Sequence, residues 1–222
     1  MRGDTIFNSD HGLQYISEEF TEEKVLSARD PSIPELLADG WRIAHRSWAA
    51  QLDADKIDRA ALERLVVTAT RDGALHIRPV TDRDVPAVLD LDGPTINAYP
   101  GGVATRHAAL TPKPLPTPLR VGWGIFDRGD PAPILAVTYL DLMPGDDPKC
   151  TPVAAEVDFT VVHPDFRHQG LASGVKAMSV LALMEAGVQT FRTGGAVENV
   201  GILAANRVLG FVRDEEWVTL ER

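Results

Sequence analysis

DFTVVHPDFRHQGLA, residues 158–172, places an apolar strand, a proline and a glycine turn directly before a long apolar helix. The turn follows the pattern Arg167-x-x-Gly170-x-Ala172. The first turn of a helix carries unpaired backbone N–H groups and a partial positive charge, so such a junction can bind an anion. Because Gly170 and Ala172 leave the backbone accessible, the stretch predicts a diphosphate site. For this pattern alone, a simple surface turn is the alternative.

Neither Gly-x-Gly-x-x-Gly nor Gly-x-x-x-x-Gly-Lys-Ser/Thr occurs, which argues against a dinucleotide or P-loop site. A second motif, ENVGILAANRVLGF, lies at residues 198–211. Together the two stretches resemble the GNAT superfamily of acetyl-CoA-dependent acyltransferases, whose pyrophosphate turn is Arg/Gln-x-x-Gly-x-Gly/Ala and whose later helix ends in Leu-Gly-Phe. The resemblance covers about residues 75 to 220. It implies an α/β, acyl-CoA N-acyltransferase fold: a mixed, strongly twisted, mostly antiparallel sheet flanked by helices.

The composition is that of a globular protein with a full core. The 222 residues are 44% hydrophobic and 24% charged, which allows one domain or one and a half. The sequence has no apolar run long enough for a membrane span and no apolar signal segment, and its single cysteine, Cys150, excludes an internal disulfide. We therefore expect a cytoplasmic protein. The net charge of -10 argues against nucleic-acid binding and requires a local cationic cluster for coenzyme A, for which Arg167, His168 and Lys176 are the candidates.

Alternation and helical periodicity predict the main elements in order. A strand near residues 75–81 and a short helix precede a proline-rich loop region at 92–118, which we expect over the acceptor side. Strands near 119–126, 134–142 and 153–162 follow as a meander, then a helix at 170–186, a strand at 188–193, a helix at 199–209 and one or two strands at 212–220.

Residues 1–72 are interpreted as an N-terminal extension, and residues 73–222 as the GNAT domain. The stretch Leu36 to Trp41, followed by Trp48, echoes Val208 to Phe211 followed by Trp217, although the spacing slips by one residue. The echo indicates a partial first copy of an acetyltransferase, as in tandem members of the superfamily. Coincidence between two short strand entries is the alternative. After Asp53, apolar residues at helical spacing predict a helix leading into the main domain.

The resemblance also implies which residues hold acetyl-CoA. The backbone of Thr160, Val161 and Val162 would pair with the pantetheine arm as a strand would, and a backbone N–H near Val162 could stabilise the oxyanion. Main-chain amides of the turn would hold the pyrophosphate, with Arg167 contributing charge; a salt bridge to Asp165 is the alternative for that arginine. The turn residues so implied are His168, Gln169, Gly170, Leu171, Ala172 and Ser173.

Glu156 is the candidate general base. A lysine-like amine has a pKa near 10.4, so a positioned carboxylate or a water chain helps to remove its proton. The strand around Glu156 is similar to that of the histone-acetyltransferase branch of the superfamily, where a glutamate at this place is the base. By the period of two, Glu156, Asp158, Thr160 and Val162 are expected to share one face. A merely solvated Glu156 is the alternative, with Asp158 as the fallback base.

The sequence departs from the family pattern at Asn206, where many members carry a tyrosine that protonates the leaving thiolate. Asn199 and Asn206 are read as hydrogen-bonding residues near the cofactor, or as a helix cap and a packed polar contact respectively. No general acid is assigned. The histidine spacing supports no metal site.

Two hypotheses of different class follow. The first is an N-acetyltransferase that moves an acetyl group from acetyl-CoA to a primary amine of a small molecule or peptide. The second is a noncatalytic acyl-CoA-binding or regulatory module. The N-terminal segment could also mediate a homodimer.

Overall fold

The computed structural model describes residues 22–96, 100–105, 110, 119–128, 132–143 and 152–222. Most of the proline-rich segment that we placed over the acceptor side, and Cys150, therefore lie outside the described residues. The strands are β1 Glu23–Ser27, β2 Arg42–Asp53, β3 His76–Pro79, β4 Arg120–Phe126, β5 Ile134–Met143, β6 Ala154–Val162, β7 Thr190–Ala196 and β8 Val212–Glu221. The α-helices are α1 Ile33–Ala38, α2 Arg59–Ala69, α3 Val85–Asp92, α4 Leu171–Glu185 and α5 Val200–Leu209.

One eight-stranded sheet has the order β1-β8-β2-β7-β6-β5-β4-β3. All neighbouring pairs in it are antiparallel except β6 and β7, which are parallel. The predicted mixed, mostly antiparallel α/β sheet is confirmed. The predicted elements from residue 119 onward are also found, with bounds that differ by a few residues and a single closing strand, β8.

Two of the three hydrophobic clusters among the described residues flank the central strands on opposite faces of the sheet. On one face, α4 packs on α2 and on the central strands, and Leu171, Val175 and Val180 of α4 are fully buried. On the other face, α3 covers a second cluster that contains Val137 and Tyr139 of β5 and Phe159 of β6. The broad apolar surface of α4 is therefore core, as its sequence predicted, and it fixes the start of the helix against the sheet.

Residues on both sides of the boundary predicted at residue 72 contribute to the same sheet, because β2 lies between β7 and β8. The sequence echo has a structural counterpart. Gly40 (φ +89°) links α1 to Trp41 and β2, and Gly210 (φ +96°) links α5 to Phe211 and β8. The two units run antiparallel, so that Arg42 pairs with Glu221 and Gln51 with Val212. This geometry supports the interpretation as a partial repeat, which stays a prediction.

Candidate functional site

The parallel strands β6 and β7 separate in the middle of the sheet. They pair at three positions, of which the last is Glu156 opposite Arg192, although β6 continues to Val162 and β7 to Ala196. Beyond that pair, β6 remains bonded to β5, and β7 remains bonded to β2. The backbone of Thr160, Val161 and Val162 therefore lies in the part of β6 that no longer pairs with β7, as the predicted pantetheine contact requires.

A cavity of about 40 Å³ occupies the gap between the two strands. This volume is enough for a few water molecules or a small chemical group. Gly194 and Gly195 of β7 line it without a side chain, which keeps the gap open. Its polar side chains come from five segments, namely Asp158 and Thr160 of β6, Lys176 of α4, Thr193 of β7, Asn199 at the start of α5, and Thr105 of the segment 100–105.

A β-bulge at Asp158 changes which residues of β6 share a face. Tyr139 pairs with Phe159 and the next residue, Leu140, pairs with Val157, so Asp158 is the extra residue. Val157 and Val162 pack in the core under α4, whereas Phe159 packs in the core under α3. By alternation, Glu156 lies on the face opposite Val157. The expectation that Glu156, Thr160 and Val162 share one face is therefore wrong, because strict alternation does not survive an inserted residue.

The two carboxylates considered as bases have different surroundings. Asp158 lines the cavity and accepts a hydrogen bond from Arg120 of β4, whose other Nη donates to Asp141 at 2.7 and 2.9 Å. These carboxylates raise the pKa of the Arg120 guanidinium against the effect of its burial. Glu156 is half-buried one residue before the cavity wall, between Asp141 and Arg192 in the sheet register. Its role as the base stays a prediction.

The predicted anion turn leads into α4 with the required geometry. His168 (φ +59°) and Gly170 (φ +78°) both adopt left-handed backbone conformations, and Gly170 is the N-cap residue of α4. Nothing lies within 4 Å of the place where a Cβ of Gly170 would be. The first-turn amides of Leu171, Ala172 and Ser173 have no intrahelical acceptor in an α-helix, so they are available to an anion beside the open glycine.

Cationic side chains surround this turn. Arg167 and His168 are exposed, and Nε of Arg167 donates to the Val162 carbonyl at 3.4 Å. Among the described residues, no carboxylate forms a salt bridge with Arg167, so the predicted alternative, a pair with Asp165, is not seen there. Arg71, which follows α2, donates to the Gln169 side chain and adds a charge that the sequence did not predict. Arg71 is far away in sequence, and no local pattern marks it.

Lys176 does not belong to this surface cluster, contrary to our expectation. Its side chain is 1% exposed, and Nζ donates to the Thr193 hydroxyl at 3.4 Å, with the Phe211 ring 5.7 Å away. Burial lowers the pKa of Lys176 to about 7. The sequence does contain a signal for this position, because Lys176 is the one charged residue in the run from Leu171 to Met184.

The two asparagines differ in their relation to the cavity. Asn199 caps the helix through a bond from the Ile202 amide at 3.2 Å and also lines the cavity. Asn206 is 3% exposed, and neither atom of its amide has a hydrogen-bond partner among the described residues. Tyr139 does not line the cavity; its ring is buried against Phe159 and burial raises its pKa. Tyr15 and Tyr99 lie outside the described residues.

In the described parts of the chain, no cluster of three His, Cys, Asp or Glu side chains is suited to a metal ion. Within the same ranges, no helix combines the length and apolarity needed to cross a membrane.

Several solved structures that share this fold are GCN5-related N-acetyltransferases or resemble them. A tandem GNAT protein from the clavulanic acid biosynthesis pathway, solved without AcCoA, matches 91% of this chain and 63% of its own with 16% identity and a TM-score of 0.55. A GCN5-related N-acetyltransferase from Sphaerobacter thermophilus matches 91% of this chain and 59% of its own (14% identity, TM-score 0.64). A GCN5-related N-acetyltransferase-like protein from Streptococcus suis matches 89% and 71% (15% identity, TM-score 0.58).

The chain thus spans about three fifths of the length of the first two of these structures. No protein-family model matches the sequence. No curated protein matches it either. The chain has the acyl-CoA N-acyltransferase fold of the GNAT superfamily, which confirms at the level of the fold the resemblance carried by the two motifs.

Proposed function

We propose that this protein is an acetyl-CoA-dependent N-acetyltransferase that acylates a primary amine. The observation that carries the proposal is the separation of β6 and β7 after Glu156 and Arg192, with a cavity in the gap and the start of α4 beside it. A thioester with a diphosphate needs an anion site and a slot for its pantetheine arm. The turn at Gly170 supports the first requirement, and the gap supports the second.

The residues proposed to bind acetyl-CoA would contact it in order along its length. Amides of residues 170–173 would bind the pyrophosphate, with Arg167 and Arg71 supplying positive charge against the net charge of -10. The backbone of Thr160 to Val162 would hold the pantetheine arm and leave the thioester in the cavity. A backbone N–H of β6 that points into the gap would stabilise the negative charge that develops on the carbonyl oxygen.

A carboxylate on the α3 face then has to accept the proton of the attacking amine, directly or through water. Glu156 is the first candidate. Asp158 lines the cavity, but its carboxylate is engaged by the guanidinium of Arg120. Pro100 and Thr105 of the predicted acceptor loop line the cavity, but most of that loop lies outside the described residues, so the acceptor is proposed only as a small-molecule or peptide amine.

Release of free thiol from acetyl-CoA in the presence of an amine panel tests the proposal. We expect turnover with at least one amine, a loss of roughly 100-fold or more in kcat for Glu156→Gln, and an unchanged dissociation constant for acetyl-CoA in that variant. Asp158→Asn is the matched carboxylate variant. If Asp158→Asn loses the turnover and Glu156→Gln keeps it, the base is Asp158.

A noncatalytic acyl-CoA-binding or regulatory module is the second candidate. Asn206 favours it, because an amide that cannot donate a proton as an acid stands in α5 where many family members have a tyrosine. Tight binding of acetyl-CoA without thiol release on any amine would support this module and contradict the enzyme. A homodimer through the N-terminal segment stays a proposal, which sedimentation of the full chain can test.

A further inference from the structure

Lys176 is the buried cation of the site. Its Nζ lies beside Thr193, the first residue of β7 beyond the last pair with β6, so the ammonium stands where the two strands part. Its side chain is 1% exposed and lines the cavity. It forms no salt bridge with any residue that the structure describes, and its one hydrogen bond there is long, at 3.4 Å. A buried charge with so little compensation is costly unless another group pairs with it.

The other titratable side chain that lines the cavity, Asp158, does not provide this compensation. Its carboxylate bonds to Arg120 on the β4 side, which also holds Asp141, and it forms no salt bridge with Lys176. The remaining polar side chains that line the cavity are neutral: Thr160 of β6, Thr193 of β7, Asn199 at the start of α5, and Thr105 of the segment 100–105. Among the described lining residues, Lys176 is thus the one charged side chain on the α4 face, and no carboxylate pairs with it there.

We propose that Lys176 binds a carboxylate that a substrate carries into this cavity. A single ammonium balances a single negative charge, which suits a carboxylate better than a phosphate dianion. The Thr193 hydroxyl, within hydrogen-bond distance of Nζ, provides a second group for the carboxylate. The inference rests on the proposed acyl transfer and adds the class of substrate, namely one with an acid group on the short part that enters the gap.

The carboxylate can belong to either partner of the reaction. A dicarboxylic acyl donor such as malonyl-CoA would place it on the transferred group, whereas an amino acid would place it on the acceptor. Both sources offer the same chemistry to Lys176, and two matched comparisons separate them: malonyl-CoA against acetyl-CoA, and glycine against glycinamide. In each comparison the two molecules differ mainly in the acid group.

Titration calorimetry and turnover of the full chain test the proposal, with Lys176→Met and Lys176→Gln as variants. We expect one acidic member to have a dissociation constant or KM at least about tenfold lower than its neutral partner, because only the acidic member can pair with the ammonium. Both variants should abolish that preference, so that the acidic partner loses about tenfold more in dissociation constant or KM than the neutral partner does. Calorimetry in buffers of different ionisation enthalpy should also show proton uptake at about pH 8, because pairing with a carboxylate favours the charged lysine.

Several results would overturn the inference. One is equal use of acidic and neutral partners by the wild type, and another is a preference for the acid that survives in both variants. Turnover that falls equally for both partners in the variants would assign Lys176 to something other than carboxylate recognition. In all of these cases acetyl-CoA still binds, and the proposed acyl transfer stands. If no CoA thioester binds to the wild type, the proposed function and this inference fail together.

Discussion

The ammonium of Lys176 in α4 reaches the hydroxyl of Thr193 in β7, at 3.4 Å, at the point where β7 leaves β6. The ammonium of Lys176 lies on the α4 side of the gap, whereas Glu156 and Asp158, the carboxylates proposed as bases, lie toward its α3 side. The gap between β6 and β7 thus connects the two faces of the sheet. A donor held by α4 and an amine approaching from the α3 side could meet there.

The buried lysine should make stability depend on pH. The folded-state pKa of Lys176 is about 7, below the value of 10.5 for an exposed lysine. Between these values the unfolded chain binds one more proton than the folded chain, so the stability of the wild type rises with pH. Relative to Lys176→Met, we expect the free energy of unfolding to rise by about 1.4 kcal/mol per pH unit across this window and to be independent of pH below it. Denaturant unfolding at several pH values measures it, and parallel curves for the two proteins would contradict a depressed pKa.

The substitution Gly170→Ala should weaken the binding of acetyl-CoA in addition to straining the backbone. An L-residue in the left-handed conformation costs roughly 1–2 kcal/mol, and its methyl group would project beside the amides proposed to hold the pyrophosphate. Gly40→Ala is the matched control, because Gly40 also has a positive φ and open space around its Cβ position, but it precedes β2. We expect similar losses of unfolding free energy and a weaker acetyl-CoA affinity in Gly170→Ala alone. Equal acetyl-CoA affinities in the two variants would indicate that the turn at Gly170 does not bind acetyl-CoA.

Arg167→Ala should raise the dissociation constant for acetyl-CoA roughly three- to tenfold at low ionic strength and less at high salt, since exposed charges are screened. Arg83→Ala removes an equally exposed arginine from the turn before α3 and serves as the control for net charge. Calorimetry at two salt concentrations gives the comparison. An equal rise of the dissociation constant in both variants would indicate that the overall charge of the protein governs binding. Arg167 would then make no local contact with acetyl-CoA.

The ionised carboxylate of Asp84 should stabilise the fold at pH values above its pKa. Arg78 donates to both of its oxygens at 2.7 Å, and this pairing, together with the Thr81 capping bonds, lowers the Asp84 pKa to about 2. The contribution is present above the unfolded pKa near 4 and is lost as the pH falls toward 2. Asp84→Asn should cost about 1–2 kcal/mol at neutral pH, with exposed Asp82→Asn as the control. Equal unfolding midpoints for these variants would contradict the assignment.

Much of the fold could be predicted because it depends on local patterns. The continuous apolar run of β5, the apolar surface of α4 and the glycine after α5 each carry their signal within a short window. The faces of β6 could not be predicted beyond the bulge, because one extra residue at Asp158 inverts the alternation and arises from pairing with β5. The position of β2 between β7 and β8 was likewise inaccessible, since no local signal specifies long-range strand order.

For the candidate site, the sequence located the turn at Gly170 but not the residues that other segments bring to it. Arg71 reaches Gln169 across 98 positions, and burial of Lys176 follows from the packing of α4 on the sheet. A lone lysine in an apolar helix indicates burial, but it does not indicate which cavity the side chain enters.

A crystal structure of the protein with coenzyme A tests the central claim most directly. The predicted result is a diphosphate within hydrogen-bond distance of the amides of residues 170–173 and a pantetheine arm between β6 and β7. A coenzyme bound elsewhere on the protein, or crystals soaked in coenzyme A with no density at the start of α4, would contradict it.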